Sequence, residues 1–384
     1  MTHVVRQQAF QRISGPPRQI EKSFFGMAAL NWPRTTADVP AFASSIGSVT
    51  NFADSLTFWG RMHTAPNTID WTTLDNFVAN ARAAGVQDGI YCLNGTPTFL
   101  AGASSGIQGP HGMLGEGAYP TDLGQLTYFC QQFAIRNNAV WGHFFSLVSA
   151  GNEMDYREIA STGYFWWGTR AQFVDFSWTV KAAFNAADPT MRIGSPGMFE
   201  AFEQNYGMDQ VINQPGTVNP TRTGKDCFEW ACTHPYFAGP TSIQAQSYGD
   251  LTNARTLGTN VVRDFLGRNG KTVAGVIASE WGFGPSDGFV PYIAFLAQTP
   301  AYRASFMERL FMCGFMYGMS GIYPWYYGAG SPSGQWQTDT NGVVLGYTNA
   351  SANMTGKTWA GTGGYDTVTG QVTMDFTSGS SRVV

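Results

Sequence analysis

Charge is scarce in this chain. Only 12% of its 384 residues are Asp, Glu, Lys or Arg, about half the roughly 25% usual in soluble domains. A net charge of -4 leaves no basic field to hold a phosphate backbone, which argues against nucleic acid as a partner. The first residues, MTHVVRQQAFQRISGPPRQ, lack the apolar core of a secretory signal, so the expected setting is the cytoplasm or a virus particle. Long apolar runs are missing too. The most apolar late stretch, FMCGFMYGMSGIYPWYY, is broken by Gly and Pro and reads as a helix feeding a buried strand, so no membrane partner is expected. The five cysteines are odd in number and follow no metal-ligand spacing, which predicts buried free thiols. Neither a GxGxxG loop nor a His/Cys/Asp cluster is visible, so neither a cofactor nor a metal is expected.

What the chain has instead is rings and glycine. Aromatics make up 15% of residues and Gly numbers 46. On a weakly charged chain so many Trp and Tyr suit a neutral or mildly acidic ligand with apolar faces, such as a sugar polymer, although most single rings belong to the core. Apolar β-rich runs alternate with helical patterns: SFFGMAAL, SVTNFADSLTF, GIYCLN, HFFSLVSAGNE, MRIGSPGM, CFEWACTHPYF, TVAGVIASEWG and GIYPWYY read as eight strands. TADVPAFASSI reads as a short helix between the first two. DWTTLDNFVANARAAG places Trp71, Leu74, Phe77, Val78 and Ala81 on one helical face, with Gly85 as its stop. Further helices are expected over about 121–138, 169–187, 245–268 and 298–317. This alternation, with no repeat or linker, predicts an α/β fold, a (β/α)8 TIM barrel over 22–340. An N-terminal arm, 1–21, precedes it, and Gly/Thr-rich alternation such as GYDTVTGQVTMDF predicts a small β-rich C-terminal appendage over 341–384, with which the arm pairs.

Two glutamates close two of the predicted strands. Glu153 ends HFFSLVSAGNE and Glu280 ends TVAGVIASEWG, and each precedes an aromatic, Gly-rich loop. The C-terminal strand ends are where such a barrel builds its site. Splitting a glycosidic bond needs one carboxylic acid to protonate the leaving oxygen and one carboxylate across the sugar ring. Two strand-end glutamates supply both, and the reaction needs no metal. Either alone carries little weight, since strand ends often bear solvated acids. The paired setting is what matters.

The ordered set FADSLTFWGR, IDWTTLDNFVANARAAGV, NGTPTFLAG, GNE followed by YFWWGTRAQFVDF, THPYF, SEWGF and YPWYY spans residues 22–330. It resembles the clan A retaining glycoside hydrolases, most of all the family of β-xylosidases, α-iduronidases and bacterial exopolysaccharide endoglycosidases. The resemblance implies that Glu153 is the general acid/base, that Asn152 bonds the sugar 2-hydroxyl, and that Glu280 is the nucleophile. It matches His234 and Tyr236 to a His-x-Tyr pair whose Tyr hydroxyl bonds to the nucleophile, though His234 equally reads as a core histidine. Trp325 matches a Trp that floors the sugar subsite, with a barrel-core Trp as the plain alternative. Trp281 and Asp54 complete the expected substrate-binding set. Tyr164, Phe165, Trp166 and Trp167, just beyond Glu153, are expected to bury it.

The chain departs from the family at Gly151, where a Trp is usual, at Met154, where a Pro is usual, and at Asn51, near the place of a missing second-strand Arg. Glu116 and Asp287 are expected in loops that line a cleft, and Glu200 is a spare acid. Two classes of function follow. One is a retaining endoglycosidase acting on a polysaccharide or oligosaccharide, such as a bacterial surface or exopolysaccharide. The other is a non-catalytic carbohydrate-binding barrel of a virion or surface assembly, in which the carboxylates serve only as ligand contacts.

Overall fold

Eight parallel strands follow one another around a ring in chain order: β1 (Gly26–Ala29), β2 (Ser48–Thr50), β3 (Asp88–Cys92), β4 (Phe145–Ser149), β5 (Arg192–Gly194), β6 (Trp230–His234), β7 (Gly275–Phe283) and β8 (Met319–Tyr326). Each pairs with the next, and β8 returns to β1 with Trp325 opposite Ala28. The chain is thus a (β/α)8 barrel. The computed structural model describes residues 10–29, 42–51, 54–154, 165–199, 208–234, 236–237, 261–283, 299–326, 342–366 and 369–384; at Tyr236, Trp281 and Trp325 it describes the backbone alone. Within these residues no helix is long and apolar enough to cross a membrane.

The ring is thinnest between β5 and β6, where Trp230 opposite Gly194 is the single register pair. Ser195 takes over from the ladder there, its Oγ accepting the Cys232 N–H at 2.9 Å. Inside the ring Ala28, Ile90, Leu147, Cys232, Ile277 and Tyr323 pack as one buried cluster. The Tyr323 hydroxyl would be costly to bury unpaired, and it donates to Ser48 Oγ at 2.8 Å.

Helices cover the outside: α1 (Thr72–Ala83), α2 (Leu123–Ala139), α3 (Arg170–Ala187), α4 (Val261–Arg268), α5 (Pro300–Met316) and α6 (Val343–Met354). In α1 the helical spacing buries Leu74, Phe77, Val78 and Ala81, the larger of which contribute about 1.5–3 kcal/mol each. Gly85 stops the chain at φ 89°. A Thr169–Gln172 capping box opens α3, and Asp188 with Pro189 ends it. All five cysteines are buried and free.

Two elements differ from the sequence expectation. The second strand is three residues long, because Asp54 accepts the Leu56 N–H and turns the chain into a 3-10 helix over Ser55–Thr57. The segment expected to begin a β-rich tail instead forms α6, which buries Val343, Val344, Tyr347, Ala350 and Met354 at helical spacing. Gly346 lets α6 lie on α5, since a Cβ there would stand 2.2 Å from Ala304 O. Only then come the tail strands β9 (Thr358–Asp366), β10 (Val372–Phe376) and β11 (Ser381–Val383). The arm strand Phe10–Ser14 pairs antiparallel with β9, so both chain ends share one small sheet. The predicted helix TADVPAFASSI lies mostly outside the described residues; its last part is a 3-10 turn, Ala43–Ser45.

Candidate active site

Beyond β4 the chain continues beside β5 rather than leaving the barrel. Asn152 bridges to Gly197, and the Glu153 N–H donates to Gly197 O at 2.7 Å. Glu153 adopts φ 37°, a left-handed conformation that costs a non-glycine residue on the order of 1 kcal/mol or more and concentrates at functional sites. The two departures from the family pattern flanking it work together. Gly151 has φ 119°, and its bare Cα receives the Met154 side chain: a Cβ there would stand 2.0 Å from Met154 Cε. A Trp at position 151 would fit neither that backbone nor that contact.

His234, the last residue of β6, joins the two glutamates. Its Nδ1 lies 2.9 Å from Glu153 Oε1 and 3.6 Å from Glu280 Oε2. One carboxylate oxygen from each glutamate and a ring nitrogen of His234 all fall within 4.8 Å of one another. The His234 side chain is wholly buried and that of Glu280 is 4% exposed, whereas Glu153 keeps 21% of its surface open. The chain just beyond β4, the end of β6 and the interior of β7 thus meet at one point. Gly197 makes room for the imidazole, since a Cβ there would stand 2.0 Å from His234 Nε2.

Burial, and then the neighbouring Glu153 carboxylate, raise the Glu280 carboxyl well above its usual range. The sequence expectation placed that burial at Glu153, through the rings that follow it. Trp166 and Trp167 are buried but hold loops together instead. Trp166 packs on Phe173 and Phe176 of α3, and Trp167 packs on Ala101 and Ala118 while its backbone N–H donates to Gly117 O. Cys92, at the end of β3, is near enough to feel both carboxylates, yet burial first of all keeps its thiol neutral. It is no nucleophile.

The remaining expected residues fall into three groups. Asn152 is buried, and among the described residues its amide oxygen has no partner, which leaves it ready for a hydroxyl donor. Asp54 is buried and caps its own turn, which is a structural task. The backbones of Tyr236, Trp281 and Trp325 lie in β-structure that continues the sixth, seventh and eighth strands, but their side chains are outside the description, as are Tyr164, Glu200 and Asp287 altogether. Glu116 is not a cleft wall. Its wholly buried carboxylate accepts the His111 N–H at 2.9 Å and holds His111 Nδ1 at 2.5 Å. Asn51, near the place of the family's arginine, is also structural: its Oδ1 accepts the Cys92 N–H at 2.6 Å and its Nδ2 donates to Cys92 O at 3.3 Å, stitching β2 to β3. Sequence reasoning missed Gly197 and Gly151 as site builders, although Gly at a strand end is the signal for a close backbone approach.

No protein-family model matches the chain, and no curated protein does. Solved structures do resemble it, glycoside hydrolases among them. A glucosidase from Croceicoccus marinus superposes with a TM-score of 0.57 at 14% identity, over 95% of this chain and 74% of that one. AbfB, a family 51 α-L-arabinofuranosidase from Bifidobacterium longum, gives 0.55 at 12% identity, over 88% and 74%. The catalytic domain of GH30 xylanase C from Talaromyces cellulolyticus gives 0.54 at 15%, over 98% and 84%. The resemblance to clan A glycoside hydrolases read from the motifs is therefore matched in the fold.

Proposed function

We propose that this protein is a retaining glycoside hydrolase, acting on a polysaccharide or oligosaccharide by double displacement. The observation that carries the reading is the meeting of Glu153 and Glu280, from β4 and β7, with oxygens within 4.8 Å around His234. Retaining enzymes hold their two carboxyl groups about 5–5.5 Å apart, whereas inverting ones leave about 6.5–9.5 Å for a water. The close pair favours the covalent route.

Glu280 is the nucleophile and Glu153 the acid/base. The more open Glu153 suits the second role, because it must protonate a leaving oxygen that departs and then activate an incoming water. Before a sugar binds, burial and then the neighbouring Glu153 carboxylate favour a proton on Glu280. Donors brought by the sugar, and by Tyr236 if its hydroxyl reaches the nucleophile, favour the Glu280 anion and leave the proton on Glu153. Glu280 then attacks the anomeric carbon while Glu153 gives its proton to the leaving oxygen; in the second step Glu153 takes a proton from water, which displaces Glu280 with net retention. His234 fixes the direction of the Glu153 carboxylate, Asn152 binds the 2-hydroxyl, and Trp325 and Trp281 complete the sugar subsite. The aromatic-rich, weakly charged chain suits endo action on a bacterial surface or exopolysaccharide.

The test is a panel of bacterial and plant polysaccharides read by release of reducing ends. Turnover of any member supports the reading. Saturable binding to a glycan with no turnover would replace it with a carbohydrate-binding barrel.

A further inference from the structure

We propose that Glu153, His234 and Glu280 form a site for a divalent cation of the zinc type, held by one carboxylate oxygen of each glutamate and by His234 Nδ1, and that the cation shuts the catalytic pair. Other His–carboxylate pairs, His111–Glu116 and His143–Asp188, offer two groups each. Among the described residues the trio is the group of three that converges.

The ligand atoms are already gathered. Nδ1 is 2.9 Å from Glu153 Oε1 and 3.6 Å from Glu280 Oε2. A second observation points to an occupant: among the described residues Glu280 Oε2 is buried with no hydrogen-bond partner, and it is the oxygen that faces Nδ1. A buried polar oxygen left unpaired is costly, and the two neighbouring carboxyls can both ionise only against mutual repulsion. A dication between them relieves both penalties at once. Glu153, the exposed member, must swing slightly outward from its hydrogen bond with Nδ1, which its open side allows.

The donor set selects the metal. One imidazole nitrogen with two carboxylate oxygens suits zinc and its first-row neighbours, whereas calcium and magnesium favour all-oxygen shells. Three protein ligands leave a fourth position for water on the side where Glu153 is open. With both carboxylates bound to metal, neither can donate a proton or attack a sugar. Cation and hydrolysis therefore exclude one another. The binding itself does not depend on which glycan the site cleaves, or on whether it cleaves one.

Calorimetric titration of Zn2+ into the metal-free full-length protein tests this without substrate, with the visible absorption of Co2+ as a second probe. One ion per chain is expected, with Co2+ bands of four-coordinate intensity. Glu280→Gln and His234→Ala should each weaken Zn2+ by tenfold or more, on the order of losing a metal-site group, while His111→Ala leaves it unchanged. His234→Gln, closer in volume, replaces His234→Ala if the latter fails to fold by circular dichroism. The absence of saturable one-to-one binding, or binding that survives both the Glu280 and His234 substitutions, overturns the proposal.

Discussion

The bare Cα of Gly197 lies against the His234 imidazole: a Cβ at position 197 would stand 2.0 Å from Nε2. Strand β5 therefore decides where a histidine on β6 can sit, and through Nδ1 that histidine aims a glutamate carried by β4. A methyl group at position 197 should push the ring away and let the Glu153 carboxylate swing. Gly197→Ala is expected to fold, since overpacking costs about 1–3 kcal/mol. It should lose activity by about a hundredfold, the scale of a 1 Å misplacement of a reacting group. Unchanged kcat in a folded Gly197→Ala protein would show that His234 does not position Glu153.

Glu280 should also leave a mark on stability. Its carboxyl is raised above the usual range in the folded state, while the unfolded chain titrates near 4.3. Between those two values the native state binds more protons than the unfolded state, so stability falls as pH rises through that window. The neutral isostere escapes this loss. Glu280→Gln is therefore expected to melt higher than the parent at pH 7, by roughly 2 °C or more, with the gain vanishing towards pH 4. Melting curves across that range decide it, and a Glu280→Gln protein less stable than the parent at pH 7 would contradict a strained, buried carboxylate.

The tail offers a test away from the site. Glu308 of α5 is buried, and Arg382 of β11 donates to its two oxygens at 2.6 and 2.8 Å. Removing the arginine leaves a buried charge with only the long Asn353 Nδ2 hydrogen bond at 3.4 Å, which costs about 3–5 kcal/mol for fully buried pairs, less here because Arg382 is about a third exposed. Arg382→Ala should lower the urea midpoint clearly, and adding Glu308→Gln should recover part of the loss. A double variant no more stable than Arg382→Ala would mean that the pair is not what ties the tail sheet to the barrel.

How much of this could be read beforehand depended on how far apart in the chain the partners lie. The α1 face from Leu74 to Ala81 was legible because helical periodicity is written within a dozen residues. Glu153 and Glu280 were expected at strand ends, but Glu153 lies beyond the end of β4 and Glu280 within β7. What Asn51 does was not, because its partner Cys92 lies 41 residues away, and no local pattern records that pairing. The α6 helix was hidden by its Gly, Ser, Thr and Asn content, and it exists because α5 offers an apolar face with room at Gly346. Which glutamate is the buried one could not be foreseen either. Trp166 and Trp167 turned away to tie loops, while Glu280 sits inside a nine-residue strand.

The roles of the two acids separate in kinetics. Without a nucleophile no glycosyl-enzyme can form, so Glu280→Ala should be inactive on every substrate. Without the acid/base, a substrate with a good leaving group still completes the first step, because it needs little protonation. Glu153→Ala should therefore accumulate a covalent adduct from an activated aryl glycoside of the accepted sugar. Azide should then restore its turnover with retained anomeric configuration, since a small anion enters where Glu153 would have activated water. Intact-protein and peptide mass spectrometry should place the adduct on Glu280. An adduct on Glu153, formed by a Glu280→Ala protein, would exchange the two assignments, and the more buried carboxylate would then be the proton donor that its raised affinity for protons suggests.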